Sequence, residues 1–238
     1  YSSVLLENVY GGLNDGEFDD RLGEIIRFEN LLADDGALVL KFWMHLSKDA
    51  QKARRESLET DPMLSYKVSE KDWRNHENYD DFVTAAEKII TRTNRITAPW
   101  HIVEGADERY RHLTVGETLR AALEQHLDKH EHESAVAQAE RTPANNGTAN
   151  SLTVFDRLDL SKTVSSSEYR KRRKKQQARL GELGREAYRK GLSTVLVFEG
   201  PDAAGKGGAI RRTVHSLDAR SYRVHQFAAP TDVERAHP

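Results

Sequence analysis

The sequence predicts an α/β protein in which helices flank a parallel sheet, and three observations carry this prediction. Short, almost continuously apolar runs alternate with longer charged segments whose apolar residues recur at helical spacing. The strongest predicted strand, residues 193–198, leads directly into a glycine-rich loop and then into a helix-forming segment. The 238 residues are 37% hydrophobic and 31% charged, which suits one large or two small domains with a sizeable core.

Four segments are predicted to be strands. Residues 37–44 are short and almost continuously apolar, as expected of a strand that is buried on both faces of a parallel sheet. Residues 99–104 are predicted to form a second strand, and residues 193–198 the strongest one. Residues 222–227 are predicted to form the last strand of the chain.

Helices are predicted between and after these strands. Ser47 is a good N-cap, and Asp49 adds a negative charge to the first turn of a helix that continues through Arg55. Ser69, followed three residues later by Asp72, resembles a capping box at the start of another helix. That helix is expected to cover residues 69–90, and further helices are expected at residues 22–32, 115–130, 167–190 and 206–216.

Composition and charge exclude several classes of function. The net charge of -2 means that an anion-binding site has to be local. The chain has no cysteine, which excludes disulfides, thiolate metal sites and cysteine nucleophiles. No apolar run approaches the ~20 residues that span a bilayer, and no signal peptide is recognisable, so a cytoplasmic protein with no membrane contact is expected. The chain starts at Tyr1 rather than methionine, and it is expected to be a fragment.

A phosphate-binding loop is predicted directly after residues 193–198. Its glycines let the backbone curl so that amide groups point inward and form a concave anion site. The helix that follows adds the partial positive charge of its N-terminus, and Lys206 adds a full charge. The pattern GxxxxGK arises by chance in short stretches, but the strand–loop–helix context argues against chance. The residues predicted to bind phosphate are Gly200, Ala203, Ala204, Gly205, Gly207 and Gly208.

The loop departs from the common pattern at one position. A serine or threonine usually offers its hydroxyl to Mg²⁺ where this chain has Gly207. Asp202, inside the loop, is therefore the candidate metal ligand, and it is predicted to orient the metal or the acceptor. Lys206 is predicted to neutralise the transferring phosphate, so Asp202 and Lys206 are the predicted catalytic residues.

Residues 195–210 strongly resemble the second family of polyphosphate kinases, whose loop reads Asp-Ala-Ala-Gly-Lys-Gly-Gly as residues 202–208 do here. The resemblance extends to residues 41–51, 98–100, 169–171 and 227–231. It implies a P-loop kinase-type parallel sheet flanked by helices, with a helical lid. It also implies transfer of phosphate from inorganic polyphosphate to a nucleotide, AMP giving ADP, with Mg²⁺ as the cofactor.

The order of the parts is similar to that of polyphosphate:AMP phosphotransferases, in which two kinase units are fused in tandem. Residues 1–130 would be the C-terminal half of one unit, with strands and lid helices. Residues 155–238 would be the N-terminal half of the next unit, with the phosphate loop. Residues 131–154 are polar, rich in turn formers and without periodicity, which predicts a flexible linker. On this resemblance, the family's second acidic motif, at the end of a strand, is missing from the chain.

Basic residues after the first predicted strand are candidates for the lid. Arg54 and Arg55 follow that strand at the distance where kinase lids place arginines that close over phosphate. Lys67, Lys71 and Arg74 are further candidates for a polyphosphate channel. A plain surface position for any single one of them is the competing interpretation.

Other clusters suggest other functions. Residues 170–175 are consecutive basic residues that would guide a polyanion, bind nucleic acid or form a solvated helix face. The near-neutral net charge and the lack of interleaved aromatic residues disfavour nucleic acid. His126 and His130 have i,i+4 spacing, but without an HExxH pattern a metal site there is disfavoured. Trp73 and Trp100 are predicted to be packing residues rather than base-stacking platforms.

Two alternative functions stay open at this point: an ordinary small-molecule kinase that uses ATP, and a non-catalytic module that binds phosphate or nucleotide. A homo-oligomer is also compatible with the sequence. Because an exposed apolar strand edge invites aggregation, residues 38–43 and 194–198 are predicted to pair in parallel, as in a circularly permuted kinase, with the lid over the loop. Separate sheets would leave only the tandem arrangement, with the halves in two different kinase units and without the permuted pairing.

Overall fold

The computed structural model describes residues 1–62, 65, 68–135, 154–155 and 158–226. The strands of this part of the chain are β1 (Leu38–His45), β2 (Trp100–Glu104) and β3 (Thr194–Glu199). Its helices are α1 (Ser2–Val9), α2 (Asp15–Asp34), α3 (Lys48–Thr60), α4 (Glu70–Glu77), α5 (Tyr79–Thr93), α6 (Glu108–Ala135), α7 (Ser166–Arg189) and α8 (Lys206–Val214).

One sheet joins the front and the back of the chain. Its strands are parallel in the order β2-β1-β3, with Trp43 opposite Ile102 on one side and Glu199 on the other. Val39 lies opposite Val195, so the predicted parallel pairing of these two strands is confirmed and the alternative of separate sheets is wrong. The predicted α/β class, a parallel sheet flanked by helices, is likewise confirmed.

Strand β1 is the buried centre of the fold, and its successive side chains enter two different cores. Leu40, Phe42 and Met44 pack with residues of α6, α7 and α8. Trp43 enters the opposite core, with residues of α1, α2 and α5. Because helices cover both faces, nearly every position of β1 favours an apolar side chain. Full burial of a side chain such as Phe42 stabilises the fold by roughly 1.5–3 kcal/mol.

Capping residues set several helix starts. The Ser47 hydroxyl accepts a hydrogen bond from the Ala50 amide and begins α3 where predicted, and α4 begins at its predicted N-cap, Ser69. Asn14 and Glu17 form a capping box that starts α2 before the predicted residue 22. None of the described helices combines the length and the apolar character that crossing a membrane requires.

Several sequence predictions are corrected. The predicted helix over residues 69–90 is two helices, α4 and α5, which meet at Asn78. Helix α6 begins at Glu108 instead of residue 115 and continues to Ala135, inside the predicted linker, whose residues 136–153 lie outside the described part. Helix α1 was not expected. Residues 222–226 form no strand, because no described strand pairs with them, and Phe227 lies outside the described residues.

Candidate phosphate-binding site

The predicted phosphate loop connects β3 to α8, in the expected strand–loop–helix order. Gly200 and Gly205 have φ angles of 142° and 91°, which suit glycine and few other residues. A Cβ atom on Gly200 would lie 2.3 Å from the Met44 carbonyl oxygen, and one on Gly205 would lie 2.2 Å from Cζ of Arg111. Backbone conformation and lack of space therefore both require glycine at these two positions.

The start of α8 offers amide donors to a ligand. The first backbone hydrogen bond at this end runs from the Ala209 amide to the Gly205 carbonyl. The amides of Lys206, Gly207 and Gly208 consequently have no acceptor inside the helix. Together with the partial positive charge of the helix N-terminus, they form a donor set that suits phosphate oxygens.

Lys206 is folded back over the loop. Its Nζ donates hydrogen bonds to the carbonyl oxygens of Gly200, at 2.5 Å, and Pro201, at 3.1 Å. Burial lowers the pKa of Lys206, and nearby carboxylates, with Asp202 the largest, oppose that shift. These contacts keep the ammonium group at the loop, within reach of an anion that the loop binds.

Asp202 is the carboxylate of the loop, and its side chain is 40% exposed. Its Oδ2 accepts a hydrogen bond from Nδ2 of Asn75 at 2.8 Å and lies 3.9 Å from Nη2 of Arg55. Glu199, at the end of β3, and Asp72, in α4, line the same cleft. Among the described residues, no three histidine, aspartate or glutamate side chains form a metal cluster. Because Mg²⁺ keeps several waters and binds one or two carboxylates plus phosphates, Asp202 fits such an ion.

The predicted lid residues Arg54 and Arg55 face the loop in different ways. Arg54 donates three hydrogen bonds to backbone carbonyl oxygens, including that of Ala203 at 2.6 Å. The Arg55 side chain is 1% exposed, and in the described structure its nitrogen atoms have no hydrogen-bond partner. Burial lowers the pKa of Arg55, and the charge of Asp202 opposes the shift. A buried guanidinium without hydrogen bonds is costly, so Arg55 marks a position that suits an anion.

The other lid candidates lie further from the loop or outside the described residues. Lys71 and Arg74 are both exposed in α4, and Lys71 lines the cleft. No described hydrogen bond or ion pair joins the Arg74 side chain to the loop. Lys67 lies outside the described residues.

Two side chains from the front of the chain contact the loop although the sequence analysis did not single them out. Gln51 donates a hydrogen bond to the Asp202 carbonyl oxygen at 3.2 Å. Arg111, near the start of α6, covers Gly205 and donates to the Gly105 carbonyl oxygen. Burial lowers the pKa of Arg111 to about 10. Its position in the sequence could have identified Arg111 as a site residue, because it closely follows the carboxyl end of β2, where ligands bind in such sheets.

The basic run at residues 170–175 combines packing with exposed charge. Arg172 donates to both carboxylate oxygens of Glu117, at 2.7 and 2.8 Å, and Arg173 lies over the ring of Tyr169. The exposed members of the run are Arg170, Lys171, Lys174 and Lys175. The run therefore joins α7 to α6 and also presents a positive surface.

The aromatic and histidine candidates have other contacts. Trp100 is buried and donates to the Thr93 hydroxyl at 2.8 Å, which agrees with the predicted packing role. Trp73 donates to Glu59 on the neighbouring helix. His126 contacts the backbone carbonyl of residue 36, and the side chain of His130 lies outside the described part.

Comparisons with known proteins identify relatives of the whole chain. The family model described as Polyphosphate kinase 2 matches residues 1–131 and 163–238. The chain is 44% identical over 241 residues to the polyphosphate:AMP phosphotransferase of Pseudomonas aeruginosa. It is 42% identical over 238 residues to the enzyme of that name from Pseudomonas syringae pv. tomato. Each alignment covers 100% of this chain and 47% of the relative, so the chain spans about half the length of these curated relatives.

A solved structure of polyphosphate kinase 2 from Arthrobacter aurescens TC1 is also similar in sequence. The identity is 32%, and the match covers 43% of this chain and 36% of that one. The TM-score of the superposition is 0.42.

Proposed function

Because the chain belongs to the polyphosphate kinase 2 family, we propose that it serves phosphoryl transfer from inorganic polyphosphate to AMP, with ADP as the product. The observation that carries the proposal is the convergence of the glycine loop, Lys206 and the buried Arg55, whose nitrogen atoms have no described hydrogen bond. Two full positive charges beside a set of free amides suit a polyanionic donor. The name of the Pseudomonas relatives, polyphosphate:AMP phosphotransferase, supports AMP as the acceptor.

In the proposed reaction, the terminal phosphoryl group of polyphosphate passes to a phosphate oxygen of AMP. The bond between the transferred phosphorus and the polyphosphate oxygen breaks, and a new phosphorus–oxygen bond forms to AMP. The electron pair stays on the shortened polyphosphate, and negative charge spreads over the transferred oxygens. The amides of residues 206–208, Lys206 and Arg55 would stabilise that charge, because they are donors fixed in place before the reaction begins.

Asp202 is the residue that would hold Mg²⁺, with Glu199 and Asp72 as further carboxylates at the same cleft. When bound, the ion would supply positive charge that offsets the charge of the phosphate groups. The described contacts of the Asp202 carboxylate use Oδ2, to Asn75 and Arg55, which leaves Oδ1 for a cation.

The front and back halves of the chain are proposed to come from two kinase units of a longer protein. Residues 1–130 would belong to one unit, residues 155–238 to the next, and residues 131–154 would link them. The length of the Pseudomonas relatives, about twice that of this chain, supports this assignment.

A second candidate function is binding of phosphate or nucleotide without turnover. The observation that favours it is that residues 200–208 contain one carboxylate, Asp202, and have Gly207 where a hydroxyl usually binds the metal. We therefore expect the isolated chain to turn over slowly even if it binds polyphosphate tightly.

One assay separates the candidates. The purified chain is incubated with Mg²⁺ and either long-chain polyphosphate or ATP, each with AMP, GMP or ADP, and the nucleotides are separated by ion-exchange chromatography. ADP formed from AMP and polyphosphate without ATP supports the proposal, provided that Lys206→Ala removes the activity. Turnover with ATP alone would identify an ordinary kinase. Polyphosphate binding with no product would favour the binding module.

A further inference from the structure

Ala203 has an unusual backbone conformation at the centre of the loop. Its φ angle of 63° is the only positive value for a non-glycine residue in the described part of the chain. The left-handed conformation is energetically unfavourable for alanine, because its Cβ atom lies too close to the following carbonyl oxygen. Glycine adopts the conformation freely. Such a residue persists at a functional site only when its surroundings hold it there.

Arg54 provides such a hold. Its Nη1 donates to the Ala203 carbonyl oxygen at 2.6 Å, and its Nη2 donates to the carbonyl oxygens of Ala106 at 2.8 Å and Gly105 at 3.2 Å. One guanidinium thus joins α3, the centre of the phosphate loop and the turn between β2 and α6. The fork geometry of arginine allows this, since its nitrogen atoms donate in fixed, diverging directions.

The turn that Arg54 uses as its second anchor is itself fixed. The Gly105 amide donates to the His45 carbonyl oxygen at 2.6 Å, at the end of β1. A Cβ atom on Gly105 would lie 2.7 Å from that oxygen and 3.1 Å from the Ala204 carbonyl oxygen. The turn is therefore pressed between the central strand and the loop, so it is a firm support for Arg54.

Helix α3 also holds the neighbouring peptide. Nε2 of Gln51 donates to the Asp202 carbonyl oxygen at 3.2 Å, so two consecutive loop carbonyls are directed toward α3. In a planar trans peptide, the carbonyl and the next amide point in opposite directions. The Ala203 amide consequently points away from α3.

We infer that Arg54 is a positioning residue that holds Ala203 in its left-handed conformation, and thereby shapes the phosphate loop. This role differs from the lid role expected from sequence, in which Arg54 contacts the transferring phosphate. The expected effect of Arg54 on polyphosphate affinity rests on the proposed function. The conformation of Ala203 does not, because it is a property of the loop without ligand.

A rescue experiment tests the role through polyphosphate affinity, measured by calorimetry. Arg54→Met is expected to weaken binding roughly 10-fold, the size of one charge-assisted hydrogen bond. In the Ala203→Gly background, the same substitution is expected to weaken binding less than about 3-fold, because glycine adopts the left-handed conformation without support. Equal losses in both backgrounds would show that Arg54 contacts the phosphate instead.

Two controls sharpen the test. Arg55→Met removes the neighbouring guanidinium, and its effect should be the same with and without Ala203→Gly. Arg54→Lys keeps the charge but loses the fork, so it should behave like Arg54→Met. Full affinity in Arg54→Lys would mean that charge alone matters, and it would overturn the inference.

A measurement without ligand separates this inference from the proposed function. Alanine-labelled protein gives the ¹³Cα shift of Ala203, which reports its backbone conformation, while circular dichroism checks the fold. Arg54→Met is expected to move that shift away from the left-handed value and Arg55→Met to leave it in place. An unchanged shift in folded Arg54→Met refutes the positioning role. Absence of polyphosphate binding in the wild type would refute only the proposed function.

Discussion

Residues 200–208 build the candidate phosphate site mainly from their backbone, whereas the front segment, residues 48–111, reaches the same edge of the sheet through side chains. In the loop, φ angles and close contacts leave no room for Cβ atoms at Gly200 and Gly205. In the front segment, Arg54, Arg55 and Arg111 bring guanidinium groups to the loop. Added side-chain atoms in the loop should therefore lower stability, whereas loss of a charged side chain in the front segment should weaken anion binding.

The strands behind these two regions differ as well. Strand β1 is buried along nearly its whole length, whereas the residues of β3 are exposed or half-buried. Within the described residues, β3 pairs only with β1, so its other edge is open. Leu196 and Phe198 of β3 line the cleft along that edge. The phosphate loop thus extends from the less protected strand and depends on the front segment for support.

The largest effect expected of a single substitution tests the sensitivity of the loop to one added carbon atom. Gly200→Ala places a Cβ atom 2.3 Å from the backbone oxygen of Met44. Overpacking and the unfavourable φ should together lower the free energy of unfolding by about 3 kcal/mol. Gly207→Ala is the matched control, because nothing lies within 4 Å of its Cβ position. Denaturant unfolding of both variants makes the comparison, and similar losses would contradict the geometry.

The next effect concerns Lys206, the one full positive charge in the loop. Lys206→Ala is expected to weaken polyphosphate binding by roughly 2–3 kcal/mol, because it removes a charged hydrogen-bond donor. Calorimetry of wild type and variant measures the loss. Equal affinities would mean that the loop binds the anion through its backbone amides alone. All of the positive charge at the site would then come from the front segment.

Arg55 should show opposite effects on binding and on stability. Arg55→Met is expected to weaken polyphosphate binding by about 1.5 kcal/mol through the lost charge. It should also raise the free energy of unfolding by about 1 kcal/mol, because a buried charge without hydrogen bonds is removed while Asp202, its ion-pair partner at 3.9 Å, is 40% exposed and stays solvated. Lys52→Met, on the exposed side of the same helix, is the control and should change neither quantity by more than about 0.5 kcal/mol. A destabilised Arg55→Met would show that Arg55 supports the fold rather than a ligand.

Acid should destabilise the folded protein through two buried histidines, His45 and His112. Burial lowers the pKa of His45 and of His112 to about 4 in the folded protein. The unfolded chain therefore binds more protons between pH 6.5 and about 4. The stability from these residues is complete above pH 6.5 and is lost as the pH falls toward 4, by at most about 1.4 kcal/mol per pH unit for each histidine. Denaturant unfolding measures the free energy of unfolding at several pH values in this range. Its dependence on pH should be weaker in the double variant His45→Gln, His112→Gln, and an unchanged dependence would reject the assignment to these histidines.

The smallest effect is expected on the exposed surface of α7. Lys174→Met should weaken polyphosphate binding by less than about 0.5 kcal/mol at physiological salt and by more at low salt, because exposed charges are screened. Arg172→Met should instead lower stability, because Arg172 is paired with both oxygens of Glu117. Measuring polyphosphate affinity of both variants at several salt concentrations decides whether the positive surface of α7 contributes to binding.

The sequence alone determined the features that depend on neighbouring residues. The strand, loop and helix around residues 193–216 are set by an apolar run, by glycines and by a helical pattern that lie next to one another in the chain. The starts of α3 and α4 at Ser47 and Ser69 are likewise local, because a cap acts on amides two or three residues away. Each of these predictions needed no knowledge of where the segment packs.

The tertiary structure decided which partner each residue meets. Arg54 and Arg55 are adjacent in sequence, yet one donates to three carbonyl oxygens and the other has no described hydrogen bond. Lys41 lies in an apolar strand and is fully buried, where its Nζ binds Glu29 at 2.9 Å and the Thr93 carbonyl oxygen at 2.7 Å. These outcomes depend on helices that are distant in sequence and pack against the strand, so no local pattern contains them. Residues 222–226 show the same dependence, because a segment forms a strand only when another strand pairs with its backbone.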